Sequence, residues 1–431
     1  NKTRTTISSS ALTTIGGFAA PMVMQNGIGS DMGFVLGKGI VISLIVTLTL
    51  LPGLIIFAYP LSKRFKHRIM LPTFGRFARL MVKGRWIILI IFLVLLIPAY
   101  LGQKNVEFYY SNENYLPRNS LAVADTNEIM AEYGAVDIIY LITADEGRSR
   151  ELSLTKDLEK IDHIDSIISL AGQVDPTLPE IIIPEEFTDE FRSERYRKMM
   201  IFLMPEISEQ ESFAAVDLIR RVAGNYSSEF YATGPTAMTR DMAALSRVDA
   251  RWVAYVSIIA IGMIIAISLK SFTLPLFLVL AVQLAIWINI SALYYQDQTV
   301  SSLTPIIIGA IQLGATVDYA ILYTLKYREN LSVIYNRIEA AVKTIEETGR
   351  SILTSALILF AATFSISIIA GIKTTREMTM LIGRGALISM LIMYTLLPAL
   401  LIISDRLIGS TTSGWPAARL DNTKIHPERV K

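Results

Sequence analysis

Cysteine is absent from this sequence, so neither a disulfide framework nor thiol chemistry is available to it. Histidine is nearly absent: His67, His163 and His426 stand far apart and form no metal-binding spacing. No glycine-rich phosphate loop occurs, and no nucleophile–histidine–acid set, so the chain does not read as an enzyme. The formal net charge of +2 gives no case for a nucleic-acid partner. The beginning of the chain also lacks a charged n-region with a short apolar core and cleavage site, so residues 7–24 read as a true membrane span.

Apolar sequence is what the chain has in abundance. Hydrophobic residues make up 52% of it and mean hydropathy is +0.46, too apolar for an ordinary soluble enzyme. They gather in runs long enough to cross a hydrocarbon core of about 30 Å. Eight spans are expected, at 7–24, 33–58, 86–102, 252–269, 272–294, 303–325, 351–371 and 379–403. Lys and Arg crowd the 61–85 and 326–350 connectors, whereas 25–32 and 295–302 contain neither. The positive-inside rule then predicts that those two connectors and the tail 404–431 are cytoplasmic, with the insert at 103–250 outside.

A long-period repeat runs through the spans. Gly37-Lys38-Gly39 through Phe57 returns 346 positions later as Gly383-Arg384-Gly385 through Ile403, with ten of 21 positions identical and Thr-Leu-Leu-Pro closing both copies. Such a period in a membrane protein predicts two large halves, each a set of spans plus a soluble insert. On that reading 1–58 are the last two spans of a first half, 86–102 and 251–403 the six spans of a second. The chain is then expected to be the C-terminal part of a longer protein whose N-terminal half is its first partner.

Within 103–250, strands are expected at 137–142, 165–171, 197–204 and 228–233, with helices near 152–162 and 208–224. The order β-α-β-β-α-β is that of a ferredoxin-like α+β domain. The connector 59–85 interleaves Phe65, Ile69, Phe74, Phe77 and Leu80 with basic residues, the pattern of an amphipathic helix in the membrane interface or of a basic topology anchor. The tail 404–431 is expected to be a flexible end.

Asp318 is the only acidic residue within the eight spans. An ionised carboxylate at that depth costs roughly 3 kcal/mol on insertion scales, so such a residue usually faces a bundle interior or a wet cavity. It suits a proton relay, or else a protonated acid that serves packing alone. Gly314 and Ala315, one turn earlier, leave room for another helix to approach. Tyr319 beside it offers a hydroxyl, and Gln312 and Thr316 add polar capacity. Arg384 stands as a candidate partner for Asp318 or a snorkelling cation. Gln283 and Asn289 read as packing hydrogen bonders, while Thr363, Ser365 and Ser367 could donate to the relay or equally satisfy their own helix backbone.

Gly314-Ala315-Thr316-Val317-Asp318-Tyr319, followed by Tyr327-Arg328-Glu329, resembles the signature of the MMPL family of the resistance-nodulation-division superfamily. Arg350-Ser351-Ile352, Thr395-Leu396-Leu397-Pro398, Tyr115-Leu116-Pro117 and Thr233-Gly234-Pro235 are similar to further landmarks of that family. The resemblance implies twelve spans in two repeats, each with an outer porter domain, of which this chain supplies spans five to twelve and the second porter domain. It also implies that Asp318 and Tyr319 are one of two Asp-Tyr pairs that couple inward proton flow to outward movement of lipids, drugs or other amphiphiles. The partners implied are the bilayer and an amphiphilic substrate, with homo-oligomerisation left open. The proton gradient takes the place of a cofactor. Two other classes share the scaffold, a non-transporting sterol-sensing-like sensor and a Sec-type protein-export accessory.

Overall fold

In a computed structural model of the chain, the structure describes residues 2–64, 73–110, 117, 120–133, 137–174, 183–205 and 207–416. The chain opens with helices α1 (Lys2–Ala19), α2 (Gly27–Arg64), α3 (Gly75–Lys83) and α4 (Arg85–Lys104), then the short strand β1 (Phe108–Tyr109). Next come α5 (Leu121–Tyr133), β2 (Asp137–Ala144), α6 (Arg148–Leu158), β3 (Ile164–Ile168), α7 (Leu170–Gln173) and α8 (Glu185–Phe191). After β4 (Tyr196–Leu203), α9 (Glu209–Tyr226) and β5 (Phe230–Thr233), the long helices begin. These are α10 (Pro235–Leu269), α11 (Thr273–Tyr294), α12 (Leu303–Ile334, after the two-residue strand β6 at Val300–Ser301), α13 (Arg337–Ile369) and α14 (Lys373–Ile403), with a last short α15 (Asp405–Thr411). Two compact units result, one of residues 1–109 with 246–431 and one of 110–245.

The first unit is a helical bundle. Among the described residues α2, α4, α10, α11, α12, α13 and α14 are long and apolar enough to cross a membrane. The first expected span falls on α1 and the 3-10 turn Ala20–Val23, whose apolar stretch, Ala11–Val23, is shorter. Helix α12 is the most enclosed, packed among α1, α11, α13 and α14, whereas α2 meets chiefly α1 and that turn. The 326–350 connector is almost wholly helix. Tyr335 closes α12 in the left-handed region (φ 56°), and the Asn336 side chain caps α13 by accepting from the amides of Ile338 and Glu339.

The repeated Gly-basic-Gly motif has a packing cause in its second copy. A Cβ on Gly383 would lie 2.6 Å from the Thr363 hydroxyl, and one on Gly385 would collide with the side-chain amides of Gln312 and Asn289. In the first copy Gly37 lies against Ala19, while nothing described lies within 4 Å of Gly39.

At the end of the bundle that carries the basic connectors, α3 is amphipathic as expected, but its apolar side is taken by protein. Ala78 and Val82 are buried, and Phe74 and Phe77 form a ring cluster with Tyr394 of α14. Arg76, Arg79, Leu80 and Lys83 stay exposed on the opposite side. The tail is not flexible from its start either: α15 and the residues after it dock back on the bundle. Thr412 donates to Ser271, the Ser413 amide to the Lys270 carbonyl, and Arg328 to the carbonyls of Ser413 and Gly414. Phe65, Ile69, Tyr115, Leu116 and the tail beyond 416 lie outside the described residues.

The second unit holds the expected ferredoxin-like arrangement. Its four strands lie in the order β3-β4-β2-β5, all paired antiparallel, with Ile139 opposite Ile201 and Leu141 opposite Met199. Strict alternation buries Met199, Ile201 and Leu203 against Leu154 and Leu158 of α6 and Val216 and Ile219 of α9. Met199 is therefore core. Helix α9 starts with a full capping box between Ser208 and Glu211. Beneath α6, Arg197 is almost fully enclosed and bridges Asp145 at 2.6 Å and Glu151 at 2.7 Å, while Glu151 also accepts from the Ala171 amide. Burial raises the Asp145 carboxyl, but the Arg197 hydrogen bond, the Gly147 amide and the charges of Arg197 and Arg192 outweigh it and hold it below 3.8.

Removing one member of a buried ion network strands the others. Arg197→Leu is expected to destabilise this unit by about 3–5 kcal/mol, read as lost hydrogen-exchange protection of the β4 amides. Because the folded-state value of Asp145 is depressed, its contribution is full above the unfolded value of 3.8 and is lost as pH falls through the lower folded value. Acid titration of the unfolding midpoint is expected to show that loss in the wild type and not in Asp145→Asn.

Candidate functional site

Asp318 sits on α12 where α1 crosses it. The crossing is closed to the backbone: a Cβ on Gly17 would lie 2.5 Å from the Gly314 Cα, and one on Gly314 would lie 3.1 Å from the Gly17 Cα. Gly17 has no room for a side chain without a backbone shift, and Gly314 has little. It carries Thr13 and Thr14 of α1 over the carboxyl, where their hydroxyls donate to Oδ1 at 3.3 Å and Oδ2 at 3.4 Å. Thr14 also lies 3.3 Å from the Gly314 carbonyl. These distances exceed the ~2.7 Å of a tight O–H···O bond, so the hydroxyls hold the carboxyl loosely. Asp318 itself is half-buried and Thr13 fully buried.

The other residues singled out from the sequence are placed as follows. Gly314 makes the crossing, and Ala315 beside it is half-buried. Tyr319 is buried and, among the described residues, makes no hydrogen bond to Asp318. Successive side chains on a helix diverge by about 100°, so Tyr319 cannot share the face that meets α1. Thr316 donates to the Gln312 carbonyl at 2.6 Å, and Thr363, Ser365 and Ser367 likewise bond their own helix.

Arg384 neither pairs with Asp318 nor snorkels. Its Nε donates to Asn289 Oδ1 at 2.8 Å and a terminal nitrogen to the Asn289 carbonyl at 2.7 Å. Asn289 Nδ2 in turn donates to Gln312 Oε1 at 3.0 Å and to the Leu381 carbonyl at 2.9 Å. Gln312 Nε2 completes the set through the Gly385 carbonyl and the Ser389 hydroxyl, at 3.2 and 3.1 Å. Every donor and acceptor of the two amides is thereby used, as a buried polar group in an apolar bundle requires. The guanidinium finds its partners on α11, which removes the need to reach either the acid or the membrane surface.

Thr13, Thr14 and Gly17 were not marked by the sequence as belonging to the site. A threonine in a span ordinarily bonds its own backbone, and the partner here lies some 300 positions away. The faint signal was Gly16-Gly17 one turn after the threonine pair, the small-residue counterpart of Gly314-Ala315.

A polytopic bundle with a half-buried acid on its central helix and a ferredoxin-like insert defines a membrane protein of the resistance-nodulation-division type. The chain belongs to the MMPL family, whose profile matches residues 155–425. ActII-3 of Streptomyces coelicolor is 29% identical over 192 residues, 43% of this chain and 26% of ActII-3. YdgH of Bacillus subtilis is 22% identical over 353 residues, 79% of this chain and 38% of YdgH. MJ1562 of Methanocaldococcus jannaschii is 22% identical over 355 residues, covering 74% of this chain and 91% of MJ1562. The chain thus spans well under half the length of the first two relatives. Among solved structures, SecDF in a super-membrane-facing form superposes with a TM-score of 0.55 at 16% identity, over 94% of this chain and 49% of SecDF. SecDF from Thermus thermophilus, described as a translocon-associated membrane protein, gives 0.54 over 93% and 48%. At this identity the likeness is one of fold.

Gly17→Leu is expected to force α1 off α12 and destabilise the bundle by about 1–3 kcal/mol, as overpacking does, lowering the thermal midpoint of the purified protein. The same substitution at Gly39, which meets nothing described within 4 Å, is expected to leave that midpoint nearly unchanged.

Proposed function

We propose that this chain is the proton-coupling part of a secondary transporter, driven by the proton-motive force, that exports lipids, drugs or other amphiphiles across the cytoplasmic membrane. The observation that carries the reading is the setting of Asp318, an acid on the central helix held by two hydroxyls at a glycine-closed crossing. Loose hydroxyl partners suit a carboxyl that takes up and releases a proton, since a hydroxyl can donate to the carboxylate and accept from the acid. Asp318 is the proton carrier, Thr13 and Thr14 orient it, and Tyr319 serves it when the helices shift. No nucleotide, metal or covalent catalysis is required; the proton gradient is the energy source.

Charge supports the orientation. The 61–85 and 326–350 connectors and the C-terminus are cytoplasmic by the positive-inside rule, and the ferredoxin-like unit is extracytoplasmic, where it guides substrate. The remaining partners are the bilayer, an amphiphilic substrate and the rest of the longer protein to which two repeats point. The fold likeness to SecDF favours one second reading, an accessory to protein export built on the same proton-driven scaffold.

Asp318→Asn in the full-length protein is expected to abolish efflux of the amphiphilic dye ethidium driven by an imposed pH gradient, while membrane insertion stays normal. Thr13→Val with Thr14→Val is expected to slow efflux by roughly 10-fold or more, the lower range of what positioned proton-transfer groups contribute. Unchanged efflux in Asp318→Asn would sink the carrier role.

A further inference from the structure

The side of α12 turned away from Asp318 carries an unusual row. Gln312, Thr316, Tyr319, Tyr323, Tyr327 and Asn330 follow one another in steps of three and four, so they form one stripe along the helix, and all six are buried. The upper members bond protein groups, as described for Gln312 and Thr316. At the basic end Asn330 donates to Thr344 and Glu347 at 3.0 and 3.1 Å. Between these ends the pattern fails. Among the described residues the Tyr323 hydroxyl has only the Ala341 carbonyl, at 3.5 Å, and the hydroxyls of Tyr327 and of its neighbour Thr324 have no hydrogen-bond partner although both side chains are fully buried.

Packing alone gives no reason for these hydroxyls. Phenylalanine would stack as Tyr323 and Tyr327 do, with ring centroids 6.4 Å apart and planes within 9°, and valine would fill the place of Thr324. A buried hydroxyl in a bundle is satisfied by protein or by enclosed water. At the foot of the row Trp415 packs on Tyr327 at 6.1 Å and donates its indole N–H to Asp405 at 2.9 Å. Asp405 is itself buried, with Arg337 3.9 Å away.

We propose that Tyr323, Thr324 and Tyr327 line a hydrated proton path leading from Asp318 and Tyr319 to Asp405 at the basic end of the bundle. The inference rests on the reading of Asp318 as a proton carrier and gives that carrier its inner exit. Tyr319 lies on the row and next to Asp318 in the chain, so it joins the two faces. Each hydroxyl accepts a hydrogen bond from one water as it donates to the next, so a proton passes along with no net change in any side chain. Asp405 takes the proton at the mouth, where burial raises its carboxyl above the ordinary range against the opposing pulls of Trp415 and Arg337.

Two measurements on the full-length protein in proteoliposomes test the path. In X-ray radiolytic footprinting, Tyr327 is expected to be modified despite its burial, because activated water lies against it. In a pH-jump infrared experiment with acid added on the side of the basic connectors, a carboxylic acid band that vanishes in Asp318→Asn is expected to rise. Tyr327→Phe and Thr324→Val are expected to slow that rise by roughly 10-fold or more, while Thr324→Ser keeps the wild-type rate. An unmodified Tyr327, or a wild-type rate in Tyr327→Phe, overturns the path and leaves the carrier role standing. Absence of any band dependent on Asp318 overturns both.

Discussion

The contact on which the rest depends is backbone against backbone, Gly17 on Gly314. Without a side chain at either position, α1 approaches α12 closely enough to deliver two hydroxyls to an acid that the bilayer interior would otherwise penalise heavily. Two neutral hydroxyls donate to Asp318, and Arg384 is committed to Asn289 rather than to the acid.

The same economy of polar groups governs the other side of α12. Asn289, Gln312 and Arg384 join three helices in a set whose two amides are fully used, and such a set fixes helix register because any slip leaves several buried atoms without partners. Below it the row of hydroxyls is not completed by protein. One helix thus presents a locked half and a half that protein alone does not close, with the acid at the level where the two meet. Fixed geometry above and adaptable hydrogen bonding below would suit the carrier role proposed for Asp318.

Much of this was legible in the sequence because it rests on local pattern. Spans, the strand order of the ferredoxin-like unit and the singular position of Asp318 follow from hydropathy, alternation and the scarcity of acids in apolar runs. Gly383 and Gly385 announced themselves by repetition, although only packing against Thr363, Gln312 and Asn289 explains why they are glycines. What sequence could not convey was which face of one helix meets which face of another. Thr13 and Thr14 carried no mark in the sequence, Arg384 could be a partner for the acid or a snorkelling cation, and Tyr319 stood beside the acid in order without making a hydrogen bond to it. Each was decided by helix phase and by contacts across tens to hundreds of residues. The docked α15 was hidden for a related reason: a short polar segment after the last span reads as loose until its acceptors on the α10–α11 turn are known.

The joint between α12 and α13 has a mechanical meaning. Tyr335 and Asn336 are the whole of it, one bent into the left-handed region and the other holding the first amides of the next helix. Three residues, Ala370 to Ile372, then suffice to reach α14. Elbows this short have little torsional slack. Helices α12, α13 and the one that carries Arg384 are thereby tied end to end, with little chain between them to absorb a displacement.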